Sequence, residues 1–336
     1  MVATTPIRVR SSRTKAALAV CGLLGFAVVA CVDDSGASSG GGTGVDSGSS
    51  GGEDGSVVDA GQGTDTGSST QDSGSDALQI GDADAGPFTP QKLPGIALWL
   101  DSSKGVTYVN TKATSWVDQS GNGNNATIPA GCNGPAQAAN SLNSHDTLFF
   151  SDPGGVGGTN AGGCFAVADA ANLQFGTGDF AIFIVARYTN PPGIAMKDNT
   201  ATFWSKRSPA SPFTGAWLVG NTLSEAKVQF WQQNLTGNQA IGNTAPLNNN
   251  TFRRFGGTRR GVVAEVWLDG VVDGTVTLPA ADDVSQAGRP VYIGGSPDAQ
   301  QAWLLGNIAE VVAVKGNLSN AQIGQLDAYF KNKHAL

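Results

Sequence analysis

The sequence predicts an all-β sandwich of two antiparallel sheets with a short C-terminal helix, preceded by a disordered tether. Three observations predict it. From Pro87 onward, short apolar runs alternate with turn dipeptides at a spacing of about ten residues, the rhythm of a sandwich. Helical signals are confined to Leu318–Tyr329, near the end of the chain. Residues 33–86 hold 11 of the 27 acidic residues and 15 of the 47 glycines, with no Lys, Arg or aromatic, so no packed core forms there.

The first element is an export signal. Arg8, Arg10, Arg13 and Lys15 make a charged n-region, and Ala16–Ala30 make an apolar run of 15 residues. A membrane-spanning helix needs roughly 20 apolar residues, which leaves an uncleaved anchor as the alternative. Val28-Val29-Ala30-Cys31 resembles the lipobox of bacterial lipoproteins, which implies a signal peptide over 1–30 and lipid attachment at Cys31. Cys21 follows Leu18-Ala19-Val20, which puts a branched residue where the lipobox takes a small one. Val32, not Asp, follows Cys31, so the resemblance implies sorting to the outer membrane, facing either the periplasm or the surface. Residues 31–86 then comprise the lipidated cysteine and a Gly/Ser/Asp-rich tether with a random-coil span on the order of 40 Å.

Residues 87–336 form the folded domain. They carry 16 basic and 16 acidic side chains, so the overall charge of −7 belongs to the flanking segments. A neutral domain without a basic stripe argues against a nucleic-acid partner. Ile96–Leu100 alternates, with Ile96, Leu98 and Leu100 expected on one face, and Phe180–Tyr188 is apolar enough to be buried on both faces. Val262–Leu268, Asp269-Gly270 and Val271-Val272 read as a hairpin, because Asp-Gly accepts the positive φ angles of a type I′ turn. At the C-terminus Ser319 and Gln322 make a capping box, Leu318 staples onto Ile323, and Ile323, Leu326 and Phe330 form one apolar stripe.

Taken in order, Leu98-Trp99-Leu100-Asp101, Ser115–Asn124, Gly178–Ile182, Val266–Gly270 and Gly306–Val311 followed by the helix resemble the laminin-G-like (concanavalin A-like lectin/glucanase) jelly roll in its bacterial secreted form. The resemblance covers nearly all of 90–334. It implies a jelly-roll sandwich, and its members include sugar binders, protein adhesins and modules appended to hydrolases. Fold alone does not choose among these.

Candidate chemistry is sparse. Cys132 and Cys164 lie in the exported part and favour a disulfide, two buried free thiols being the alternative. Asp118, Asn122 and Asn124 place oxygen donors in one tight loop, suited either to calcium or to an Asx-type turn. Arg253-Arg254 and Arg259-Arg260 suggest a solvated edge strand or a grip on an anionic polysaccharide. Glycosidases need two carboxyls about 5–9.5 Å apart, and the Glu-x-Asp-x-x-Glu run of the jelly-roll glucanases is absent. The folded part has three glutamates, Glu225, Glu265 and Glu310, and Glu265 stands roughly 13 Å along the strand from Asp269. No catalytic residue is assigned, and the catalytic alternative is a lyase using Tyr108, Tyr188, Tyr292 or His145. For ligand binding, period-two alternation in Lys227–Gln233 groups Gln229, Trp231 and Gln233 on one face, with Val228 and Phe230 on the other. An aromatic ring between two amides suits a sugar; the alternative is a tryptophan covered by other parts of the domain. The function expected is a cell-envelope lipoprotein displaying a non-catalytic domain for glycan or protein ligands, with no cofactor required and calcium possible. A carbohydrate-active enzyme and a structural envelope protein are the competing classes.

Overall fold

The computed structural model describes residues 86–151, 162–190, 200–209, 213–220, 225–233, 238–295 and 303–336. The segments expected to be the export signal, the lipidated Cys31 and the tether, up to residue 85, lie outside the described residues. In chain order the strands are β1 (Ile96–Asp101), β2 (Val106–Val109), β3 (Lys112–Trp116), β4 (Ala126–Thr127), β5 (Ala136–Leu142), β6 (His145–Phe150), β7 (Phe165–Val167), β8 (Phe180–Tyr188) and β9 (Ala201–Arg207). They continue as β10 (Thr214–Gly220), β11 (Val228–Gln233), β12 (Gln239–Ile241), β13 (Arg253–Arg260), β14 (Val263–Leu268), β15 (Val271–Thr277), β16 (Val291–Ile293) and β17 (Gly306–Lys315), followed by helix α1 (Asn320–His334).

Every ladder between these strands is antiparallel, and they form two layers. In the first, β17 pairs with β8, β8 with β13, β13 with β14 and β14 with β15, while β17 takes β1 along its C-terminal half and β6 along its N-terminal end. The second layer runs β2-β3-β4-β7-β16-β9-β10-β11-β12. The β5–β6 hairpin joins the layers at one side through Lys112 opposite Ala136. Leu98, Leu100, Ile182, Ile184, Leu218, Phe230, Phe255 and Val311 fill the space between the layers. A second core lies between the first layer and α1, where Ala181, Phe183, Val185 and Val312 meet Ile323, Leu326 and Phe330. β8 therefore contributes to both cores, as its unbroken apolar run predicts. The result is a jelly-roll sandwich with one helix on its outer face.

Local chemistry fixes several ends. Asp269 and Gly270 take φ angles of 52° and 85°, the left-handed pair that a type I′ turn demands, and join β14 to β15. Ser319 Oγ accepts from the Gln322 amide while the Gln322 side chain accepts from Ser319 N, so the capping box is complete. α1 runs five residues beyond Tyr329, because Phe330 and His334 keep a buried face pressed on the sheet.

Two expectations need correction. Ile96 does not share a face with Leu98 and Leu100: the register of β1 on β17 shifts between Ile96 and Leu98, and this bulge sends Ile96 to the α1 side with Trp99. The arginine-rich segment is no edge strand either, for β13 lies between β8 and β14. Its Gly256 and Gly257 sit where a Cβ would run into the rings of Phe183 and Phe230, so two bare backbone positions let aromatic rings close over the strand from both sides.

Candidate functional site

On β11, Val228 and Phe230 enter the core between the sheets, and Gln229 and Trp231 face outward, as alternation requires. Trp231 stands opposite Trp217 of β10, and the two rings stack with centroids 5.8 Å apart and planes within 5°. Trp231 Nε1 donates to Gln229 Oε1 at 2.8 Å, and the Arg207 guanidinium lies 4.7 Å from the Phe213 ring and 5.5 Å from that of Trp217. Trp231 is 9% exposed and Trp217 3%. This is a packed aromatic cluster rather than an open platform: each indole gives one face to the other, and the Trp231 N–H is already spent. The side chain of Gln233 lies outside the described residues.

The 118–124 loop is held by its own backbone. Asp118 Oδ1 accepts from the amides of Trp99 and Ser120, and Oδ2 from Ser120 Oγ and the Asn124 amide, all within 2.7–3.0 Å. Asn122 and Asn124 turn their Nδ2 groups toward β1 and donate to the Ile96 and Ala97 carbonyls, each at 2.8 Å. Four donors occupy a carboxylate that a cation would need, and among the described residues no three His, Cys, Asp or Glu groups converge on a metal position. The geometry is that of the Asx-type alternative, a clasp between the loop and β1.

The four arginines are committed to the protein. Arg253 pairs with Asp269 at 2.7 Å, Arg254 with Asp327 of α1 at 2.6 Å, and Arg260 with Glu265 at 2.9 Å. Arg259, fully buried, donates to the carbonyls of Gly176, Gly178 and Asp282 and to Gln232 Oε1. They brace the sandwich and leave no cationic grip for an anionic polymer. Cys132 and Cys164 form a disulfide with Cα atoms 5.5 Å apart.

Sequence reasoning missed the most charged constellation in the domain. Asp101 at the end of β1 stands directly opposite Glu310 of β17, both with no exposed surface. The last turn of α1 lies over them. Lys333 Nζ bridges the two carboxylates, 2.7 Å from Asp101 Oδ2 and 2.9 Å from Glu310 Oε2. Glu310 Oε2 is also 2.9 Å from His334 Nε2, and its Oε1 accepts from Trp99 Nε1 at 2.6 Å and Tyr329 Oη at 2.9 Å. Four partners fill the acceptor capacity of Glu310. Burial pushes the Asp101 carboxyl up, but the Lys333 ammonium and the hydrogen bonds from Ser103 outweigh it and hold it below the usual aspartate value. Burial, then the charges of Glu310 and Asp101, push the Tyr329 phenol well above its ordinary range. The signals were present in the sequence as Leu100-Asp101, Glu310 and Lys333-His334, but only the β1–β17 register brings them together.

Beside this cluster a cleft of about 280 Å³ opens between the turn after β1 and the β5–β6 turn, lined by Ser102–Val106, Tyr108 and Ser144–Asp146. It gathers two of the four lyase candidates, Tyr108 and His145. Tyr188 is buried in the core between the sheets, and Tyr292 lies on β16. Burial and then the Asp146 charge push the Tyr108 phenol up to about 12, so it stays protonated and is a poor base.

A family model described as the concanavalin A-like lectin/glucanases superfamily matches residues 185–324, from β8 into α1. The match takes in less than half of the chain, and the fold around it is a jelly-roll sandwich. Among solved structures, the chain is similar to the binding domain of Paraclostridial mosquitocidal protein 1, at 11% identity and a TM-score of 0.51, over 72% of this chain and 53% of that one. The likeness shows the fold, and it takes in about half of the toxin domain's length. Weaker likenesses are to Trypanosoma rangeli sialidase (15% identity, TM-score 0.43, 69% of this chain and 32% of that) and to the binding domain of botulinum neurotoxin DC in complex with SialylT (13%, 0.45, 72% and 52%). No curated protein matches the chain.

Proposed function

We propose that the protein is a lipid-anchored envelope protein whose concanavalin A-like domain binds glycans without cleaving them. One observation carries the non-catalytic part. Asp101 and Glu310 are opposed across two strands, close enough to meet the spacing that glycoside hydrolysis demands, with opposed Cβ atoms roughly 4.5–5.5 Å apart. Yet one lysine bridges both, both are buried, and Asp101 is held ionised. A hydrolase needs one carboxyl kept protonated at working pH and the other free to attack or to activate water. Here neither is available, and the pair instead clamps α1 to the sheet.

The experiment applies the full chain to a broad polysaccharide panel and a glycan array. Retention on the array with no product from any polysaccharide is the expected result. Cleavage of any member, or products carrying the unsaturated sugar of a lyase, would sink the reading; capture of a protein ligand with no glycan retained would replace glycan with protein as the ligand.

A further inference from the structure

We infer that the cleft beside Asp101 is a binding site and that it takes the neutral end residue of a saccharide chain; this rests on the glycan-binding reading above. Size sets the first limit. At about 280 Å³ the cleft lies just below the roughly 300 Å³ at which pockets for drug-sized ligands begin, enough for a small ring but not for a stretch of polymer. Its lining sets the second. Lys104, Tyr108, Ser144 and His145 bring polar groups to it, while the Ser102 and Ser103 hydroxyls and the Asp146 carboxylate oxygens, each already bonded once within the protein, keep acceptor capacity; Val106 is the one aliphatic side chain of the lining. An apolar side chain would find little to pack against there, whereas the hydroxyls of a sugar ring are served by mixed donors and acceptors.

Charge sets the third limit. Lys104 contributes a cation and Asp146 an anion, while the Asp101 charge behind them is met by Lys333 and by Ser103 N and Oγ. Lys104 is therefore surplus to Asp101: it stands 3.8 Å from Oδ2, and its side chain is more than half exposed. Asp146 would repel an anionic sugar, and the Lys104 ammonium would repel a divalent cation. A neutral polyol satisfies both signs. One group of the lining remains unspent: the Tyr108 hydroxyl is closed off with no hydrogen-bond partner. An enclosed donor without a partner is a cost that native proteins seldom carry without a use.

The test is saturation-transfer NMR on the full chain with glucose, galactose, mannose, N-acetylglucosamine and glucuronic acid as probes, comparing wild type with Lys104→Ala and Tyr108→Phe. At least one neutral sugar should give a signal, and its Kd should rise tenfold or more in Lys104→Ala with an unchanged melting temperature. Tyr108→Phe checks the result through a residue that keeps its ring packing. The inference is overturned if no neutral sugar binds, if only glucuronic acid binds, or if both variants bind as tightly as wild type. Retention on the glycan array with both variants unaffected would remove the cleft and leave the glycan-binding reading standing; cleavage on the polysaccharide panel would remove that reading.

Discussion

Lys333 is the residue on which the most charge depends. Its ammonium offsets two carboxylates that have no water to fall back on, so Lys333→Met should destabilise the domain by about 3–5 kcal/mol in urea unfolding. Adding Asp101→Asn to that variant should recover part of the loss, because one of the stranded charges disappears; no recovery would mean that Lys333 acts through packing alone. The same residues set the pH response. The folded pKa of Asp101 lies below its ordinary value of 3.8, so its contribution is fully present above about pH 4 and is lost as pH falls from there through the folded value. Tyr329 works in the opposite sense: its folded pKa is raised, so its contribution holds below pH 10.0 and is lost as pH climbs beyond it. A stability profile that stays flat from pH 5 down to pH 2 would contradict the Asp101 assignment. On the far side of the sandwich, Trp231→Ala should cost about 3–5 kcal/mol, the range for a core aromatic, rather than weaken glycan retention in a protein of unchanged stability.

Elements whose signals are local were legible in the sequence. The extent of β8, the Asp269-Gly270 turn and the Ser319 cap each follow from a few neighbouring residues, and each stands where expected. Ser319→Ala should accordingly cost about 1 kcal/mol in thermal unfolding, since it frees the Gln322 amide while leaving the apolar stripe of α1 in place. What the sequence hid depends on register. A single-residue bulge in β1 turned Ile96 to the other face, and no feature of Ile96-Ala97-Leu98 announces it. Arg253–Arg260 looked like an edge strand because its partners, Asp327 and the carbonyls of Gly176, Gly178 and Asp282, lie far away in the chain. For the same reason the Asp101–Glu310 pair was invisible: each carboxylate looked solitary until the β1–β17 ladder opposed them. The alternation of β11 was readable, but the stacking of Trp217 on Trp231 was not, since it required knowing that β10 and β11 are neighbours.

At the scale of the whole molecule, the anchoring proposal predicts that the full chain carries acyl label on Cys31 and that Cys31→Ser abolishes both label and membrane fractionation. An unlabelled wild type would refute it. The Cys132–Cys164 disulfide also acts globally. Loop-closure entropy across a sequence separation of 32 corresponds to about 3–4 kcal/mol, so reduction should lower the melting temperature by several degrees. The loop it closes contains β5 and β6 entire, and with them Ser144, His145 and Asp146 on one wall of the cleft. A protease that nicks the chain once anywhere between Cys132 and Cys164 therefore cannot divide it: the nicked protein should migrate as one band in denaturing gels without reductant and as two with it. If the anchoring proposal holds, a domain built this way can be cut beside its own cleft and still keep both halves on the one lipidated chain.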